Sequence, residues 1–91
     1  MEDGKVHMMS TASEVFSYKK RNPLAIHEEV FGHISDYINK QRIKDERVKI
    51  AMIGSAGKAF EMISNNPTVP EKILLKEFME EIPGILQKIG E

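Results

Sequence analysis

Cysteine is absent from this 91-residue chain. That removes disulfides, thiolate nucleophiles and every cysteine-based metal or redox motif. A reducing compartment is compatible with the absence, and the expected location is the cytoplasm. Net charge is lacking as well. The formal value is -1, so bulk electrostatics steer the chain toward neither nucleic acid nor an anionic membrane. Long hydrophobic runs are also missing: the longest is about Ile50 to Ile53, against the roughly 20 residues that span a bilayer. Glu2, Asp3 and Lys5 precede any apolar stretch, so the start does not read as a signal peptide.

What the chain does have is an ordinary soluble composition, 41% hydrophobic and 30% charged, enough for one small core in a single domain over residues 1–91. It also states one phrase twice. Lys5-Val6-His7-Met8, Ala12, Phe16 and Asn22-Pro23 are followed, 44 residues later, by Lys49-Ile50-Ala51-Met52, Ala56, Phe60 and Asn66-Pro67. Aligning residues 5–38 with 49–82 gives identities at those Lys, Met, Ala, Phe, Asn and Pro positions and at Ile38/Ile82. Conservative pairs add Val6/Ile50, Thr11/Ser55, Val30/Leu74, Phe31/Leu75, Ile34/Phe78 and Asp36/Glu80.

Each copy reads as two helices. In the first, Val6, Met9, Ser13 and Phe16 recur at three- and four-residue steps between Lys5 and Lys20, the spacing of one helical face. Asp3 is placed to cap that helix, and Lys19, Lys20 and Arg21 suit its negative end. Pro23 then disfavours helical geometry at Asn22. A second helix is predicted from Ile26 to Lys40, with Ile26, Val30, Ile34, Tyr37 and Ile38 as its stripe. The polar stretch from Asn39 to Arg47 holds neither Gly nor Pro. It is read as a turn near Gln41 to Lys44 with Asp45 capping the next helix, in preference to one fused rod.

The third helix, Glu46 to Ser64, is apolar on more than one face, as expected of a centrally placed element. Thr68, Pro70 and Glu71 then suggest a capping box opening the fourth. Leu74, Phe78, Ile82, Ile85 and Ile89 carry its stripe, and Pro83-Gly84 predicts a kink or a stop and restart. The fold expected is all-α: four helices from two tandem αα-hairpins (about 3–41 and 45–90) packed with pseudo-twofold symmetry, because one hairpin cannot bury its stripe alone.

The stretches that look like chemistry do not hold up as chemistry. Ile53-Gly54-Ser55-Ala56-Gly57-Lys58 has Met52 where a phosphate loop needs its first Gly, and Ala59 where it needs a hydroxyl. The Ile-Gly-x-x-Gly portion resembles the loop of KH nucleic-acid-binding domains. That fold needs three strands, no alternating run supplies them, and the sister segment Ser10-Thr11-Ala12-Ser13 lacks both glycines. His27 and His33 are six residues apart, with Phe31 at the position where a zinc helix needs its second His. They read as surface histidines, and His7 pairs with Ala51 in the other copy. With no nucleophile–base pairing in view, an enzyme is not expected, nor any cofactor or metal.

Two functional classes remain. The first is a non-enzymatic interaction module that pairs with itself, most simply as a homodimer, or with another protein. Phe31, Tyr37, Leu75, Ile85, Leu86 and Ile89 exceed what one small core covers. The alternative is a nucleic-acid-binding protein whose phosphate contacts are Lys40, Arg42, Lys44, Arg47 and Lys49, although Asp45 and Glu46 interrupt that group. A helix-turn-helix reading of the hairpins suffers because the Asn-Pro turns look longer than the usual three or four residues.

The small residues Ser10-Thr11-Ala12-Ser13 and Gly54-Ser55-Ala56-Gly57 fall at matching places on the first and third helices, where they would let two backbones approach closely. Replacing Ala12 or Ala56 by Leu is therefore expected to cost about 1–3 kcal/mol by overpacking. Thermal denaturation checks this, and an unchanged midpoint in both variants would place the crossing elsewhere.

Overall fold

The computed structural model describes residues 2–90, with side-chain surroundings from 4 to 89. Those residues form four helices and no strand: α1 (Glu2–Arg21), α2 (His27–Lys40), α3 (Glu46–Asn65) and α4 (Glu71–Gly90). The chain is thus all-α. The absence of strands among the described residues removes the KH reading, and Ile53 to Lys58 lies in mid-helix in α3.

The core is set by α1 and α3, which share the most extensive contact of any helix pair. Met8, Thr11, Ala12, Val15 and Phe16 face inward from α1, and Ala51, Met52, Ser55, Ala56 and Ala59 from α3, all with no exposed surface. Buried hydroxyls normally carry a desolvation cost. Here each is met within its own helix: Thr11 Oγ1 donates to the His7 carbonyl at 2.7 Å and Ser55 Oγ to the Ala51 carbonyl at 2.8 Å. With both hydroxyls paired inside their own helices, the inward faces combine these small residues with Met8, Val15, Phe16 and Met52.

Around this pair, α2 and α4 each pack on both central helices, and among the described residues their backbones do not come close to one another. Val30, Ile34 and Ile38 enter the core from α2, and Leu74, Phe78 and Ile82 from α4. The α4 contacts are the more extensive of the two sets.

The buried face of α1 differs from the expected one. Val6 is 65% exposed, and Met8, Ala12 and Val15 take the inward positions. Of the expected stripe Phe16 is buried, while Met9 and Ser13 are only half-buried. Ile26 is likewise 58% exposed and sits just before α2 as its N-cap, where Glu29 accepts a hydrogen bond from its amide at 3.0 Å. On α3, which touches all three other helices, Ile50 and Ile53 remain 49% and 52% exposed. That face is not covered.

Helix ends follow the sequence at some places and depart from it at others. Asp3 lies within α1, which begins at Glu2, so it does not cap the helix; its side chain is outside the described set. Asp45 does cap α3, its Oδ1 accepting from the Arg47 amide at 2.9 Å. The expected capping box at Thr68 does not form. Pro70 supplies the first helical acceptor of α4, receiving the Ile73 and Leu74 amides at 3.0 and 3.1 Å, and Thr68 stays in the preceding turn. At Pro83 α4 neither stops nor restarts but continues to Gly90. Proline removes the bond to the carbonyl four residues back, which is that of Met79. Met79 is 54% exposed, so this site faces water, where the freed carbonyl is satisfied.

The two Asn-Pro turns are built alike. Asn22 donates its backbone amide and its side-chain amide to the Tyr18 carbonyl at 2.8 and 3.1 Å, and Asn66 donates the same pair to Met62 at 3.0 and 3.0 Å. The Ala25 amide then donates to the Asn22 carbonyl, and that of Val69 to Asn66. Lysines at the end of α1 tie both turns down. Lys19 Nζ donates to the Pro23 and Ala25 carbonyls, and Lys20 Nζ crosses to those of Pro67 and Val69. These cations act as caps, not as a free basic patch.

Between α2 and α3 the chain reverses without glycine. Arg42 takes φ 53°, in the left-handed region, just after Gln41 ends α2. A Cβ in that region costs about 1–2 kcal/mol, and glycine escapes it at some expense in unfolded-chain entropy. Arg42→Gly is therefore expected to stabilise the fold by up to about 1 kcal/mol, and Arg42→Val to destabilise it. Denaturant melts of the two variants check the opposite signs.

Candidate functional site

Of the five basic candidates, Lys40 ends α2, Arg42 and Lys44 lie in the α2–α3 connection, and Arg47 and Lys49 are in the first turn of α3. Lys40, Arg42, Lys44 and Arg47 are exposed, while Lys49 is half-buried and pairs with Glu46 at 3.3 Å. Asp45 is engaged in capping α3. Among the described residues, Arg47 forms no ion pair with a carboxylate.

The six apolar candidates come from two helices, Phe31 and Tyr37 from α2 and Leu75, Ile85, Leu86 and Ile89 from α4. All are half-buried and rest against the core. Tyr37, Leu75 and Leu86 line neither groove described next. Phe31 lies on the wall of a groove between α2 and α3, and Ile85 and Ile89 on the wall of another between α3 and α4.

The first groove has a volume of about 340 Å³, with Ile34, Ile38 and Phe31 on the α2 side and Ile53 on the α3 side. Asn39, Ser35 and Lys49 add its polar contacts. The second, of about 280 Å³, is lined by Gly54, Gly57, Lys58 and Glu61 from α3 and by Ile85, Lys88 and Ile89 from α4. The two grooves flank the outer face of α3, whose exposed isoleucines belong to the helix expected to be covered. Helical periodicity alone gives no sign of which apolar face is left bare.

The glycines of α3 have different surroundings. A Cβ on Gly54 would stand 3.2 Å from the Ile85 side chain, so this position lets α4 come close. At Gly57 the nearest atom would be Phe31 Cζ at 3.9 Å, an ordinary contact that leaves room for a side chain.

His27 is exposed and His33 half-buried, and both rings make contacts. His33 Nε2 lies 3.1 Å from Glu14 Oε1, linking α2 to α1, and its ring stacks on Tyr18 with centroids 4.4 Å apart. His27 stacks on Phe31 at 4.3 Å and meets the edge of Phe60 at 5.4 Å. Among the described residues, no three His, Asp or Glu side chains gather where they could hold a metal ion. No described helix is long and apolar enough to cross a membrane.

At the rim of the second groove, one ammonium serves two carboxylates. Lys58 Nζ lies 3.1 Å from Glu61 and 3.4 Å from Glu81, joining α3 to α4. The Glu61 hydrogen bond, aided by the charge of Glu81, raises the Lys58 pKa above its ordinary 10.5 against a smaller opposing effect of burial. A raised folded-state pKa means that the stabilisation is complete below 10.5 and is lost as pH rises through the folded value. Lys58→Met is expected to lower stability by less than about 1 kcal/mol at neutral pH. The gap to the parent should close in alkali, as read from denaturant melts across pH.

Comparison of the chain with known protein families, curated proteins and solved structures finds no match.

Proposed function

We propose that this chain is a non-enzymatic helical interaction module that associates with itself. The observation that carries the reading is the outer face of α3. Ile50 and Ile53 stand about half exposed there, between one groove lined mainly by Phe31, Ile34, Ile38 and Ile53 and another in which Ile85 and Ile89 share the wall with two glycines and the charged Lys58, Glu61 and Lys88. Grouped apolar surface of this kind marks an interaction site more often than scattered single residues do.

The scaffold behind that face is inferred to be a duplicated αα-hairpin, residues 5–38 and 49–82, with pseudo-twofold symmetry. Support comes from equivalent positions in equivalent settings. Met8/Met52, Thr11/Ser55, Ala12/Ala56, Val30/Leu74, Ile34/Phe78 and Ile38/Ile82 are buried in both halves, while Val6 and Ile50 are exposed in both. The two turns also repeat their hydrogen bonds. Phe16 and Phe60 break the pattern, the first being buried and the second only half-buried.

Nucleic-acid binding is the second reading, favoured by the exposure of Lys40, Arg42, Lys44 and Arg47 within one short stretch. Phosphate contacts release counterions, so such binding weakens steeply as salt rises. Light scattering at high micromolar concentration, with DNA and RNA titrations at low salt, separates the readings. Self-association predicts a mass above that of one chain and indifference to both polymers. A strict monomer that binds either polymer in a salt-dependent way would replace the first reading with the second.

A further inference from the structure

We infer that the self-association is an antiparallel pairing of α3 with α3 of a second copy, centred on Gly54. This rests on the proposal that the chain self-associates and specifies its geometry. On α3, Arg47, Ile50, Gly54, Gly57 and Glu61 follow one another at steps of three and four residues, which places them on one face. None of the five is buried: Arg47 and Glu61 are exposed, Ile50 is 49% exposed, and the two glycines are half-exposed.

Charge selects the orientation. Arg47 lies at one end of the stripe and Glu61 at the other, so a parallel pair would set Arg47 against Arg47 and Glu61 against Glu61. An antiparallel pair centred on Gly54 sets Arg47 of each copy across from Glu61 of the other. Arg47 forms no ion pair among the described residues. Lys58 is shared between Glu61 and Glu81, so one ammonium leaves that pair of carboxylates with a net negative charge for an incoming guanidinium. Lys88 lies on the opposite, α4 wall of the groove.

Shape agrees with charge. In this register Ile50 of one copy lies level with residue 58 of the other, next to Gly57 and beside the groove of about 280 Å³ that Gly54, Gly57, Ile85 and Ile89 help to line. Glycine inside a helix costs about 1 kcal/mol relative to alanine. Gly57 meets no neighbour that demands that sacrifice, since a Cβ placed there would lie 3.9 Å from the nearest atom. A protruding residue on one copy and a hole on the other, exchanged by a twofold axis, form an isologous interface. The groove lined by Phe31 and Ile53, on the other flank of α3, widens the contact.

The test is sedimentation equilibrium on the full chain and its variants, each checked for helicity by circular dichroism. Arg47→Glu alone and Glu61→Arg alone should each weaken the dimer about fivefold or more by opposing like charges, and the double exchange should restore it. Ile50→Asp should raise the dissociation constant about a hundredfold, and Gly57→Leu should weaken the dimer while leaving the helices intact. A parent chain that is monomeric throughout overturns both self-association and this pairing. A parent dimer that is unmoved by Ile50→Asp, or a double charge exchange that fails to recover affinity, overturns the pairing alone.

Discussion

Everything else in the structure is arranged around the contact between α1 and α3. Its inward faces include small residues, two of them hydroxyl-bearing, beside Met8, Val15, Phe16 and Met52. Thr11 and Ser55 could not be buried there with their hydroxyls unpaired, since a buried hydroxyl without a partner costs more than its packing returns. Each bonds the carbonyl one turn back in its own helix, so neither helix depends on the other to satisfy its polar groups. The interface is thereby reduced to shape.

A close central pair has geometric consequences for the two outer helices. When the diagonal of a four-helix arrangement shortens, the other diagonal lengthens, which accounts for the backbones of α2 and α4 staying apart among the described residues. Each outer helix settles into the cleft on its own flank, and α3 is left with a bare strip between them. The exposed isoleucines at 50 and 53 and the two flanking grooves are thus products of the same packing that buries Ala12 and Ala56. Lys20 reinforces the arrangement from the end, reaching from α1 to the turn that precedes α4.

Much of the helix layout was legible in the sequence because apolar periodicity and the Asn-Pro stops are strong local signals. The reversal after Lys40 was legible because one fused rod would be unusually long, and the Asp45 cap because aspartate is a favoured N-cap residue. Helix rotation was not. Val6 is a louder hydrophobic signal than Thr11 or Ala12, yet it is 65% exposed while both of those are buried beside Met8, Val15 and Phe16. Thr68 lost its capping role to the geometry of Pro70, and Pro83 was tolerated because its side of α4 is wet. The basic segment could be read because its residues are adjacent in the chain. The grooves could not, since Phe31 and Ile53, or Gly54 and Ile85, meet only once three helices have been set in rotation and register.

The separation of α2 from α4 also bears on how motion is distributed. Neither outer helix can sense the other except through the central pair, and α2 holds that pair by the smaller contact. Local opening follows the least-buried cooperative unit. Amide protons of α2 should accordingly exchange with solvent through detachment of that one helix, while α1, α3 and α4 remain assembled. The molecule is therefore best regarded as a three-helix body carrying a fourth helix on a softer mount.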